Sequence, residues 1–308
     1  MPAETVVSCA MRFDYAIEPG TSLASELNRI LRRQTAVAVD ALATVSRKRL
    51  QGVPQAYAAL ERMAALGHLF AATDPDLAER TVAQVEDIAG FIAPLQEHIA
   101  QRALCAELFG DLGSCTLFEQ VRQICTAPPV LVIDERELSP KRLAAAVSRR
   151  LERLVAALEP GLPGTFDRAD LRAGLAGSRT DCRRHAVRAL KSGLDADFGH
   201  WARYARYYSC QLQLLGLVEK LDPVRTAQAV QLADLLAREC ELATLHERLR
   251  PRVRTRTAAA YQPFIDAIAD RRQLLRLEIE TAAEQLLDFG AGVAPGEPKP
   301  SPVASPQA

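Results

Sequence analysis

Residues His200 to Leu215, HWARYARYYSCQLQLL, concentrate chemistry in one stretch: a histidine, two arginines, a tryptophan and three tyrosines ahead of a leucine-rich end. Three kinds of chemistry use such residues. Guanidinium forks donate paired hydrogen bonds to phosphoryl oxygens. Rings alternating with arginines stack the bases of a single strand while the cations take its phosphates. The same residues at helical spacing make a packed stripe with a basic outer side. Trp201, Tyr204, Tyr208, Leu212 and Leu215 follow that spacing, so the stripe reads as core. Tyr207, one step off it beside Arg206, reads as the exposed aromatic.

Cations gather around this stretch. From Arg179 to Arg206, seven of them (Arg179, Arg183, Arg184, Arg188, Lys191, Arg203, Arg206) face three acids, Asp181, Asp195 and Asp197. Arg184, Arg188 and Lys191 recur at i, i+4 and i+7, and Arg203 and Arg206 at i and i+3, so each set shares one helical face. Two antiparallel helices carrying them predict a basic trough for a linear polyanion such as inorganic polyphosphate. A second cluster, Lys141, Arg142, Arg149, Arg150 and Arg153, is a further candidate anion site, and RLRPRVRTR over 248–256 is a third. Arginines on an amphipathic helix are also ordinary solvent-facing partners of acids, each pair contributing little.

Catalytic and metal readings have less behind them. Cys182 and His185 in CRRH have a ligand-like separation, with His200, Cys210, Cys240 and His246 as further donors, but spacing alone does not converge four groups on one point. Cys182 beside Arg183, Arg184 and His185 has an electropositive setting for a nucleophile, without an orienting acid or oxyanion site. Glu239 and Glu241, two apart, point in different directions on a helix. Cys105, Cys115 and Cys125 recur every ten residues, which does not keep them on one face. Glycine-rich phosphate loops, zinc-protease motifs and nucleotide fingerprints are missing. The chain reads as a noncatalytic protein with no cofactor and no metal.

The elements that position these residues read as helices almost throughout. The composition is low in aromatics and rich in Ala, Leu, Arg and Glu, with apolar residues recurring every three and four. A first helix begins after IEPG, capped by Thr21 or Ser22, with Leu23, Leu27, Ile30 and Leu31 as its stripe, and runs to about Leu50. Helices follow over Val53–Phe70, Pro75–Ala89, Pro94–Phe109, Thr116–Ile124 and Lys141–Leu158. APPVLVIDERELSP, Ala127 to Pro140, suits an extended connector or a short strand near 130–134. After the Pro- and Gly-rich break at Glu159–Arg168, helices are predicted at Asp167–Leu175, Arg179–Leu190, Asp195–Leu221, Pro223–Leu249, Thr255–Ala269 and Arg272–Asp288. The domain reading is one helical-bundle half over 11–158, a linker over 159–166, a second half over 167–290 and a disordered tail over 291–308.

Lysine plus arginine and aspartate plus glutamate each number 38, so the 308-residue chain has zero formal net charge. No monopole draws it to nucleic acid or membrane; anion binding would be local. Seven thinly spread cysteines read as reduced thiols. MPAETVVSCAMRF has neither the basic lead nor the apolar core of a signal peptide, and no window is apolar enough to span a bilayer. A cytoplasmic protein follows.

Two neighbouring segments carry a family resemblance. GHWARYARYYSCQLQLL resembles the long helix of the CHAD domains, the conserved histidine alpha-helical domain family. In that register Gly199 stands at the family's histidine and His200 at its glutamate. Arg203 and Arg206 keep two basic positions, Ala202 and Tyr204 stand where arginine is usual, and Cys210 takes the place of an aromatic. ADLLARECELATLHERL is similar to the family's next signature in its apolar order, with Arg238 and Glu239 at the acidic pair, Cys240 at the histidine and Glu241 at the following acid. VPQAYAALERMAALGHLF lies where the first histidine-and-arginine helix belongs, with Pro54 at the histidine, Tyr57 and Glu61 at basic places and Arg62 keeping its charge. The resemblance spans roughly Met11 to Gly290 and is specific over Gly199–Leu249, as in a divergent member. It implies an all-α fold of two pseudo-symmetric antiparallel bundles of about four helices each, a basic central surface, and polyphosphate binding. The charge spacing gives the candidate binding residues as Arg184, Arg188, Lys191, Arg203 and Arg206, with Arg149, Arg150 and Arg153 added. The alternative is a structural or protein-interaction domain that has lost this surface.

Overall fold

The computed structural model describes residues 15–18, 20, 22–46, 50–109, 116–125, 127–133, 136–158, 166–250 and 258–287. The Glu159–Gly164 break, most of the 248–256 cluster, the 291–308 tail, Cys9 and Cys115 lie outside them. The fold is all-α. In chain order the helices are α1 (Leu23–Ala43), α2 (Gly52–Leu69), α3 (Pro75–Phe109), α4 (Thr116–Cys125), α5 (Pro140–Leu158), α6 (Arg168–Ser192), α7 (Asp195–Leu215), α8 (Pro223–Leu249) and α9 (Ala258–Leu287).

Several helix starts follow from caps in the sequence. The Ser22 hydroxyl accepts from the Ser25 N–H to begin α1. The Asp74 carboxylate accepts from the Leu77 N–H at 2.9 Å, just ahead of α3. A reciprocal pair opens α6: Asp167 accepts from Ala169 and Asp170 N–H, and Asp170 accepts from Asp167 N–H. Asp222 caps α8 with Pro223 in its first turn, where a missing N–H costs nothing.

The structure corrects the sequence reading at three predicted breaks. Pro75–Phe109 is one helix of 35 residues with Pro94 inside it. Its near part packs Leu77, Val85, Ile92 and Leu95 into one core cluster and its far part packs Leu104, Cys105 and Phe109 into another, so both sides of the proline are held. α6 runs unbroken through Gly174 and Gly177. Gly174 marks close packing: a Cβ there would lie 2.4 Å from the Leu69 carbonyl oxygen. α9 runs unbroken through Asp270–Arg272, because Arg272 turns inward to buried Glu239. In addition, α1 stops at Ala43 instead of reaching Leu50, and Gly52 at the head of α2 presses against the Ala41 carbonyl. α7 stops at Leu215, ahead of Leu221.

The 127–140 connector holds a small antiparallel hairpin, β1 (Val132–Ile133) and β2 (Arg136–Glu137), with Val132 opposite Glu137 and Ile133 opposite Arg136. The sequence reading allows a short strand near 130–134 beside an extended connector; β1 lies there, and its partner β2 has no counterpart in that reading. Leu131 and Ile133 enter the core while Val130 and Val132 face outward.

Two apolar clusters share α7. Tyr207, Cys210, Leu214 and Leu215 pack with α1, α2, α3 and α5; Trp201, Ala205, Tyr208 and Leu212 pack with α8 and α9. Residues 207–212 are therefore buried on every side, as expected of a helix with neighbours all round. Leading into α1, the Ile17 N–H bonds the Leu214 carbonyl at 3.1 Å. No helix among the described residues is long and apolar enough to cross a membrane.

Candidate functional site

α6 and α7 carry the predicted trough residues, and His185 of α6 stacks on Tyr204 of α7 with ring centroids 4.2 Å apart and planes 10° from parallel. Four of the five trough cations there are matched to acids. Arg184 Nη2 lies 2.9 Å from Asp181. Arg188 Nε lies 2.7 Å from buried Asp197, which also accepts the Ser192 hydroxyl at 2.6 Å. Arg203 Nη1 is 3.4 Å from Glu86 of α3. Arg206 Nη2 is 3.0 Å from Asp234 of α8, and its Nε is 3.8 Å from Glu61 of α2. Lys191 is exposed and has no ion pair among the described residues.

Around Arg203 and Arg206 lies a polar seam that the sequence reading missed. The Tyr207 hydroxyl donates to Glu86 at 2.5 Å, and the Tyr207 ring packs 4.7 Å from His68. Tyr207 is only 5 % exposed, which corrects its reading as the exposed aromatic. It lies off the α8-facing stripe, but α2 covers that second face of α7. Burial and the Glu86 hydrogen bond both raise its pKa. Burial raises Glu61 from its usual range, with Arg206 and Arg62 opposing. Burial works against the charge on Arg206, but Glu61 and Asp234 outweigh it and hold the guanidinium more firmly charged. Burial lowers His68 below its ordinary value despite nearby Glu86. No linear motif announces this seam, because Glu61, Glu86 and Asp234 come from three other helices.

A second network anchors the α6–α7 turn. Glu239, 1 % exposed, accepts from Arg272 Nη2 at 2.8 Å and Arg276 Nε at 2.7 Å. Asp195 accepts from both arginines, and Arg276 also donates to the Gly193 carbonyl at 3.1 Å and lies 4.3 Å from the Phe198 ring centroid. Burial alone would raise Asp195, but its bonds to Arg272 and Arg276 hold it below the usual carboxylate range. The signal that could have found this network is the i, i+4 spacing of Arg272 and Arg276 within an apolar stripe. Glu241 points elsewhere, to Arg238 at 3.2 Å.

The second predicted cluster lies apart, on α5. Arg142, Arg149 and Arg153 fall at i, i+7 and i+11, within one narrow sector of the helix. All three are exposed and carry no ion pair among the described residues. Lys141 is exposed beside them, and the Arg150 guanidinium carbon sits 4.7 Å from the Phe91 ring centroid. Opposite them α5 buries Leu143, Val147, Leu151 and Leu154. That apolar stripe fixes where the arginines point.

The thiol and metal readings have little geometry to work with. Cys182, Cys210 and Cys240 are free thiols. Burial pushes Cys182, Cys210 and Cys240 up to about 12, which keeps each protonated at neutral pH. Among the described residues no three His, Cys, Asp or Glu side chains are arranged to hold a metal ion. Trp201 and Tyr208 are fully packed, so neither offers a ring face to a base.

Comparison of the chain with protein-family models, curated proteins and solved structures finds no match in any of the three, so the chemistry of these surfaces rests on their own atoms.

Proposed function

We propose that the chain is a noncatalytic helical binding module that holds a linear polyanion, preferably inorganic polyphosphate, against the solvent face of α5. The observation that carries this reading is the set of three exposed arginines, Arg142, Arg149 and Arg153, on one side of a single helix without an ion-paired acid among the described residues. Eleven residues of helix span about 16 Å, enough to present successive guanidinium forks to successive phosphoryl groups. Arg150 and Lys141 extend the patch. Arg184, Arg188, Lys191, Arg203 and Arg206 contribute only as far as a ligand displaces their acids. The resemblance to CHAD domains supports the ligand class and the two pseudo-symmetric bundles. Reduced cysteines suit a cytoplasmic setting.

A second reading has its own observation. Glu61, Glu86 and Asp234 occupy the partners that a phosphate chain would need on Arg203 and Arg206. On that reading the scaffold is a structural or protein-interaction module whose basic surface has been converted into internal ion pairs.

Titration with long-chain polyphosphate over a salt series separates the two. Binding that weakens with salt and is lost in the triple variant Arg142→Gln, Arg149→Gln, Arg153→Gln, but persists in Arg184→Gln with Arg203→Gln, supports the α5 site. Absence of binding at low salt removes polyanion binding and leaves the interaction module.

A further inference from the structure

The middle of α3 borders a cleft that the polyanion reading does not use. Leu95, His98, Ile99 and Arg102 recur at i, i+3, i+4 and i+7 and so form one wall, with Ala103 beside Arg102. The rest of the lining comes from the hairpin and its flanks: Pro128, Pro129 and Leu131 lead in, Glu137 ends β2, and Leu138 to Pro140 lead into α5. Leu50 and Gln51, just ahead of α2, close one end. The cleft holds about 1050 Å³, enough for a small organic molecule.

Its lining is mostly apolar, with polar groups at separate places. Arg102 is exposed and has no ion pair among the described residues. Glu137, at the end of β2, is likewise exposed without one. The His98 ring of the same lining is 7 % exposed and lies near the Ala127 backbone. Its Nδ1 is buried with no hydrogen-bond partner among the described residues. Burial, and then the Arg102 charge, keep the imidazole below its ordinary value and therefore neutral at neutral pH. Arg102 is left as the cation of the lining.

We propose that this cleft binds a small amphipathic carboxylate, its apolar body against Leu95, Ile99, Leu131 and Leu138 and its single anionic end on the Arg102 guanidinium. An apolar wall and one open guanidinium match a molecule with one greasy part and one acid group. Glu137 sets the limit of one charge, because a second carboxylate reaching across the cleft meets an acid of the same sign. That selectivity is the opposite of polyanion capture, so this site stands or falls independently of α5.

The test uses the full chain and the fluorescent probe anilinonaphthalene sulfonate, itself an apolar body with one anionic group. The folded protein is expected to give a saturable fluorescence rise with one probe per chain, displaced by octanoate and not by long-chain polyphosphate. Arg102→Gln should weaken binding about tenfold, the loss expected when a charge-assisted hydrogen bond is removed. Ala103→Trp, an exposed position, should fill the cleft and abolish binding while the circular dichroism spectrum stays helical. Glu137→Gln should admit decanedioate, a dicarboxylate that the native chain rejects. No saturable rise with the folded native chain overturns the proposal. So does a rise that neither Arg102→Gln nor Ala103→Trp changes, or decanedioate binding as tightly as octanoate in the native chain.

Discussion

The arginines of α5 and those of α6 and α7 are equally basic as sequence and differ in the fold. Seven cations and three acids fill Arg179–Arg206, and five cations and one acid fill Lys141–Arg153. On α5, Arg142, Arg149 and Arg153 face solvent without an ion pair among the described residues. On α6 and α7, Arg184, Arg188, Arg203 and Arg206 each have a carboxylate within 4 Å. The acids that neutralise the α7 pair stand on α2, α3 and α8, outside any local count. Local charge density is therefore a poor guide to a free anion site. What matters is whether packing brings acids to the same place.

The largest test of that contrast is Glu239, where carboxylate capture is deepest. Glu239→Ala takes their buried acceptor from Arg272 and Arg276 and leaves them Asp195 alone, and a loss of about 3 kcal/mol is expected, read from urea unfolding. A change under about 1 kcal/mol would mean that these networks decorate the fold instead of holding it.

Glu86→Gln is next. It takes the charged acceptor from the Tyr207 hydroxyl and the partner from Arg203, so stability should fall by about 1–2 kcal/mol. The freed Arg203 should at the same time raise polyphosphate affinity severalfold. Unchanged affinity would show that the acid is not what keeps the α7 face from phosphate.

Half-buried His68 tests the paired region by pH. Burial lowers His68, His98 and His185 from the ordinary 6.5. Between each folded value and 6.5 the unfolded chain holds more protons than the folded one, so stability rises with pH there and is lost as the solution is acidified. Glu61 acts oppositely: its raised value makes the folded form hold its proton longer, and that contribution fades as pH rises from 4.5. His68→Gln should flatten the acid-side fall in unfolding free energy relative to the native chain. An identical pH profile would place His68 outside the buried seam.

The smallest stability change belongs to α5. The Arg142, Arg149, Arg153 triple glutamine variant should unfold within about 0.5 kcal/mol of the native chain, since its side chains face only water. Its polyphosphate binding should nonetheless be lost, while Arg149→Gln alone should keep measurable binding with the slope of log K against log salt reduced by about 0.7.

Much of the fold was legible one helix at a time. Pro223–Leu249 matches its predicted bounds because Asp222 and Pro223 mark its start and its apolar positions recur without interruption. The breaks failed where one residue type has two meanings. Residues 176–178, with Gly177, read as a gap between two helices and lie inside α6; Pro94 reads as the start of a new helix and lies inside one held at both ends. Tyr207 reads as exposed because one helix shows only its own stripe, and that stripe does not reveal that α7 has packed neighbours on both sides.

By itself the sequence determined that the chain is helical and where most of its helices lie, because hydrogen bonding and amphipathic spacing act within a few residues. Only the tertiary structure decided which cations stay available to a ligand. Glu86 reaches Arg203 from 117 positions away in the chain, and Glu239 meets Arg272 across two helices. An ion pair depends on distance in space, which a count along the chain does not contain.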